Sequence, residues 1–162
     1  MKKFLLVIGL VFGMGTVCEA QEIFNSMLEH NKKIAYDEKS NDVQAKVARF
    51  KYTALQYMRR KCFESEGDVT KKFMNDQAYY MDQFVMKFFE SALLNTDLKS
   101  KEKKERIMLF IDASGSNPLF HDTDKELVNA YVENGKDFFT PFCLDTDWPK
   151  AYAAVMSKLE KK

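Results

Sequence analysis

Apolar residues recur along this chain at intervals of three and four, the spacing of one face of an α-helix, and strand-like alternation is scarce. Ile23, Met27, His30 and Ile34 predict a first helix over 22–36, with His30 read as a core or rim residue of that stripe. Ser40, Asn41 and Asp42 form an N-cap cluster. Beyond it, Val43, Val47, Phe50, Ala54, Tyr57 and Cys62 mark the stripe of a second helix, stopped near Gly67. Asp68 can cap a third, whose stripe of Phe73, Tyr80, Phe84, Phe88 and Ala92 ends near Asn95. Met74, Met81, Val85 and Phe89 widen that stripe, which predicts a central helix. A fourth opens at Ser100, amphipathic at first and wholly apolar over 107–111. After the break at 114–118, Asp122-Thr123-Asp124 leads into a fifth that ends at Asn134-Gly135. A loop over 136–146 holds Pro141 and Cys143, and Asp147 caps the last helix with Pro149 in its first turn. The expectation is an all-α, single-domain bundle of about six helices, with no linker or repeat to divide it.

The first twenty residues stand apart from this pattern. Lys2 and Lys3 precede an apolar run over 4–12, and small residues at Cys18 and Ala20 suit a signal peptidase. Residues 1–20 therefore read as a signal peptide cut before Gln21, with 21–162 as the helical domain, periplasmic or secreted. The run is too short to anchor the chain in a bilayer, so no transmembrane helix is expected after cleavage. Lipidation at Cys18, giving an outer-membrane lipoprotein, is the alternative; Val17 stands where that signal carries a small residue.

Cleavage resets the charge. The whole chain has 25 Lys and Arg against 24 Asp and Glu, and loss of Lys2, Lys3 and Glu19 leaves 23 of each. A neutral domain lacks the clustered cations that hold nucleic acid, so no nucleic-acid partner is expected. The dense charge over 99–106 interleaves Glu102 and Glu105 with lysines and reads as a solvated helix face. Fourteen phenylalanines and nine methionines supply enough apolar volume for a real core. Cys62 and Cys143 remain as an even pair in an oxidising compartment, where one disulfide is expected. Two buried thiols acting as small hydrophobes are the other reading. No Cys-x-x-Cys redox pair or zinc spacing occurs.

Candidate chemistry is sparse. The run Ile107-Met108-Leu109-Phe110-Ile111 followed by Asp112-Ala113-Ser114-Gly115-Ser116 resembles the metal-ion-dependent adhesion site of von Willebrand A-type domains. There the Asp and both hydroxyls give a divalent cation hard oxygen ligands. That family needs a strand before the motif and a long domain after it, so a helix end followed by a turn describes this segment better. Asp122-Thr123-Asp124-Lys125-Glu126 resembles the opening of an EF-hand loop, with Glu133 at the twelfth position. Leu127 stands where that loop needs Gly. His121 lies beside Asp122 and near Ser114 and Ser116, yet no nucleophile elbow is present. Trp148 reads either as an exposed stacking residue at a loop–helix junction or as a staple closing the last helix against the core. The aromatic residues Phe138, Phe139 and Phe142 predict that its loop packs down.

No cofactor, metal or catalytic residue is assigned. His121, Asp122, Asp145 and Trp148 are the candidate ligand surface, and convergence of Asp112, Ser114, Ser116, His121, Asp122 and Asp145 would mark a site. The stretches 51–60, 77–80, 117–120, 144–148 and 151–154 together resemble small exported helical proteins of anaerobic Gram-negative bacteria. That group has no established activity, so the resemblance implies a compartment and a fold only. The expected function is non-enzymatic binding of a protein or small ligand, with a hydrolase of novel site as the alternative.

Overall fold

The computed structural model describes residues 22–64, 71–128 and 142–160, and all regular structure among them is helical. The elements are α1 (Glu22–Ala35), α2 (Asp42–Glu64), α3 (Lys71–Phe88), α4 (Ser100–Gly115), the single turn α5 (Lys125–Val128) and α6 (Trp148–Leu159). A π-helical turn, Phe89–Leu93, continues α3 directly, closed by the Leu94 N–H bonding the Phe89 carbonyl at 2.8 Å. The expected export segment with Cys18, the stops at Gly67 and Asn134-Gly135, the cap Asp68, and Phe138 and Phe139 lie outside the described residues.

Caps form where the polar clusters predict them. Asn41 caps α2, its Oδ1 accepting from Gln44 N–H at 2.9 Å. Asp124 caps α5 through Leu127 N–H at 2.9 Å, and Asp147 caps α6 through Lys150 N–H at 3.3 Å. Pro149 sits in the first turn of α6, where its missing N–H leaves nothing unsatisfied.

The buried faces follow the predicted stripes on α2 and α3 but not on α1. Phe50, Ala54, Tyr57 and Cys62 of α2 are buried, as are Met81, Phe84, Val85, Phe88 and Ala92 of α3 and its π turn. On α1 the buried residues are Phe24, Leu28, Asn31 and Ala35, one position on from the expected stripe. Ile23, Met27 and Ile34 are half-buried at its edge, and His30 is exposed rather than in the core or at its rim. The shift turns Phe24 inward and puts Asn31 on the buried face, where its amide donates to the Met27 carbonyl at 2.7 Å. Asn75 of α3 fixes the entry of α1 by accepting from Phe24 N–H at 3.0 Å.

α3 is central: α1, α2 and α6 pack on it, and its π turn packs on α4. The core there is aromatic. Phe84 meets Phe110 of α4, Phe142 and Trp148 edge-to-face, with ring centroids 5.2, 5.4 and 5.5 Å apart. Phe88 meets Phe110 and Phe142 at 5.3 and 5.0 Å, so Phe142 is packed into the core. Lys51 of α2 and Asp82 of α3 form a half-buried ion pair. No helix among the described residues is long and apolar enough to cross a membrane.

Candidate functional site

A single carboxylate organises the region after α4. Asp145 is 3% exposed, and its Oδ1 accepts from the N–H groups of Leu119 and Phe120 at 3.0 and 2.8 Å. Its Oδ2 accepts from Asp122 N–H at 2.8 Å. Successive backbone donors converging on an anion form a concave nest. Here the anion is internal, and the chain turns sharply between the bonded residues. His121, the residue skipped by Asp145, takes up that turn with φ of 53°, a left-handed conformation that histidine enters more readily than most residues.

The far side of the same loop is tied to α2. Asp122 Oδ2 accepts from Tyr57 Oη at 3.1 Å and pairs with Lys61 Nζ at 2.9 Å, while its Oδ1 accepts from Asp124 N–H at 3.0 Å. Tyr57 and Lys61 are one turn apart on α2, so one helix face presents both donors. The Lys61 ammonium, aided by the Asp124 N–H and the Tyr57 hydroxyl, holds the Asp122 carboxyl below the usual carboxylate range. Burial, then the charge of Asp145 and the bond to Asp122, pushes the Tyr57 phenol far up, so it stays a donor at any ordinary pH.

This gives a pH dependence with a definite sign. Because the folded-state pKa of Asp122 is depressed, its contribution to stability is complete above the ordinary carboxylate value of about 4. It is lost as pH falls through the lower folded-state value. Asp122→Asn should therefore be less stable than the parent at neutral pH, with the gap closing below about pH 4. Urea midpoints of both proteins from pH 6 to 2 measure this, and a gap that stays constant into acid would refute it.

The third fastener is Ser114, fully buried at the end of α4. Its Oγ accepts from Cys143 N–H at 2.8 Å and lies 3.0 Å from Thr146 Oγ1, which donates to the Cys143 carbonyl at 2.6 Å. Ser114 is thereby committed to holding the 143–146 segment. The adhesion-site resemblance fails on this geometry: α4 continues to Gly115, with Asp112 and Ser116 exposed and Ser114 buried. No three His, Cys, Asp or Glu side chains among the described residues are placed to hold a metal ion.

Between these fasteners lies an open cleft of about 720 Å³. The end of α4 supplies Ile111, Asp112, Gly115 and Ser116; the loop supplies Pro118, His121 and Asp122. Lys125 and Val128 of α5, with Cys143 and Asp145, complete it. Of the residues whose convergence the sequence singles out, Asp112, Ser116, His121, Asp122 and Asp145 line this one cleft, and Ser114 does not. They differ in availability. Asp122 and Asp145 are engaged internally, whereas the side chains of Asp112, Ser116, His121 and Lys125 have no hydrogen-bond or ion-pair partner among the described residues. Lys125 and Ile111 are among the lining residues that the sequence does not single out, since a lysine in an acidic capping segment and an isoleucine in an apolar run carry no distinguishing signal.

Two expectations need correction. Trp148 does not belong to a ligand surface: it is fully buried, edge-to-face with Phe84 and Phe50. The staple reading describes it, because Gln77 Oε1 accepts from Trp148 N–H at 2.9 Å and draws the start of α6 onto α3. The disulfide is also absent. Cys62 is a buried thiol in the α2 core face and Cys143 a half-buried thiol whose backbone is held by Ser114. Burial raises the pKa of both, and the charges of Asp145 and Asp122 add to the rise at Cys143. A protonated thiol is a poor nucleophile. Alkylation in denaturant without reductant should label both cysteines; a Cys62–Cys143 cross-linked peptide in the mass map would show a bridge instead. No protein-family model matches the chain, and neither a curated protein nor a solved structure does.

Proposed function

We propose that this chain is an exported, non-enzymatic binding module that takes a small ligand in the cleft between α4, α5 and the Asp145-held loop. The observation that carries this reading is the division of labour in the lining. Asp122, Asp145 and Ser114 are spent on rigidity, while Asp112, Ser116, His121 and Lys125 line the cleft region with polar groups unpaired among the described residues. A volume of about 720 Å³ suits a small molecule. Export to the periplasm or beyond is supported by the pattern over 1–20, and cleavage before Gln21 is the processing proposed. The resemblance to exported helical proteins of anaerobic Gram-negative bacteria supports the same compartment.

Intact mass of the exported protein tests the compartment, since a cut before Gln21 and a diacylated Cys18 differ by a large, unambiguous mass. Binding is tested by screening pools of small metabolites for changes in the backbone amide NMR signals of Ser116, His121 and Lys125. His121→Gly serves as the control, because glycine accepts the left-handed conformation and removes only the imidazole. Hits that move these signals in the parent and bind more weakly to H121G are the expected result. Ligands that bind only elsewhere would overturn the assignment of the cleft.

A further inference from the structure

Two opposite charges line the cleft without meeting. Asp112, in the last turn of α4, and Lys125, at the start of α5, are both exposed, and neither pairs with the other or with any other described group. Asp112 is also badly placed for its own helix. A carboxylate in a last turn faces the negative end of the helix dipole, and the last turn of α4 contains no basic residue to offset it. Lys125 is unpaired although Asp122 lines the same cleft, because Asp122 is committed to Lys61 and Tyr57. The same lining offers apolar surface from Ile111, Pro118 and Val128.

From this juxtaposition we infer that the cleft selects a small zwitterion carrying an ammonium, a carboxylate and an apolar side chain, such as a short peptide with free ends. The inference rests on the binding reading above. The ligand ammonium meets Asp112 and relieves its unfavourable position on α4. The ligand carboxylate meets Lys125, and the apolar side chain covers Ile111 and Val128. A ligand of one charge leaves one of the two protein charges unmatched.

The test uses the exported protein as purified and a library of zwitterionic dipeptides, alongside their N-acetylated and C-amidated forms. Calorimetry gives affinity, and methyl NMR signals of Ile111 and Val128 give location. Free dipeptides should bind in the cleft, with each blocked form about threefold to tenfold weaker, the range expected for losing one partly exposed ion pair. Asp112→Asn should abolish discrimination against the acetylated form only, and Lys125→Met discrimination against the amidated form only. Both side chains are exposed, so unchanged melting temperatures verify the fold of each variant. If blocked or singly charged compounds move the Ile111 and Val128 signals as strongly as the free peptides, the zwitterion inference falls and the binding reading stands. If free dipeptides leave these signals unmoved while other metabolites move them, the inference falls alone. If nothing moves them, both fall.

Discussion

Asp145→Ala is expected to destabilise the fold by about 3–5 kcal/mol. Three backbone N–H groups, those of Leu119, Phe120 and Asp122, lose their acceptor at once. An unsatisfied buried donor costs about 1–3 kcal/mol, and water reaching this half-buried loop recovers part of that for each. Asp145→Asn is the informative companion. Its carbonyl oxygen can keep two of the donors, but its amide then confronts the third, so a loss of about 2 kcal/mol is expected. Urea unfolding followed by the fluorescence of Trp148, the only tryptophan, measures both. A change below about 1 kcal/mol for the alanine variant would mean that the cage does not hold the loop.

Trp148→Ala should cost about 3–5 kcal/mol, the range for deleting a large buried aromatic. The side chain is fully buried and fills the space between Phe50 and Phe84. Trp148→Phe should cost much less, under about 1.5 kcal/mol. The indole Nε1 is buried without a hydrogen-bond partner, so the smaller ring gives up packing volume but also removes an orphaned donor. Guanidinium unfolding followed by far-UV circular dichroism avoids dependence on the deleted fluorophore. Equal losses for the two variants would show that removing the orphaned donor brings no gain.

The contrast between these two sites marks what the sequence discloses and what it does not. Periodicity locates α2 and α3, and the caps Asn41, Asp124 and Asp147 are legible because a cap acts on its own neighbours. The phase of α1 is less secure. Ile23, Met27 and Ile34 form as regular a stripe as Phe24, Leu28 and Ala35, and the bond from Phe24 N–H to Asn75, far along the chain, selects between them. The tryptophan admitted two readings for the same reason: its partners Gln77, Phe50 and Phe84 belong to other helices. Asp145 is the extreme case. The sequence places it on the candidate ligand surface, whereas it is buried and serves the backbone N–H groups of another segment, which have no sequence identity to read. The cleft was half legible: His121 and Asp122 stood out by residue type, whereas Lys125 and Ile111 became relevant only through position. A cysteine pair, likewise, signals a bridge by count, but whether one forms depends on where α2 and the segment before α6 place the sulfurs.

The bonds that build the cleft also fix the order in which it can be assembled. Asp122 reaches back 65 residues to Tyr57, Asp145 reaches back 23 to 26 to the loop, and Trp148 reaches back 71 to Gln77. By contrast, the most extensive pairing in the fold joins α1 to α2, its immediate neighbour in the chain. Local contacts form before distant ones because closing a long loop sacrifices more chain freedom. The α1–α2 hairpin can therefore exist while α6 is still unplaced, whereas the left-handed turn at His121 has nothing to hold it until Asp145 arrives. In native-state hydrogen exchange the same hierarchy should run backwards, with the amides of Leu119, Phe120 and Asp122 expected to open together, ahead of the α1–α2 core. The cleft therefore depends on distant contacts among the described residues, and its geometry exists only once α2, α4 and the segment before α6 are all in place.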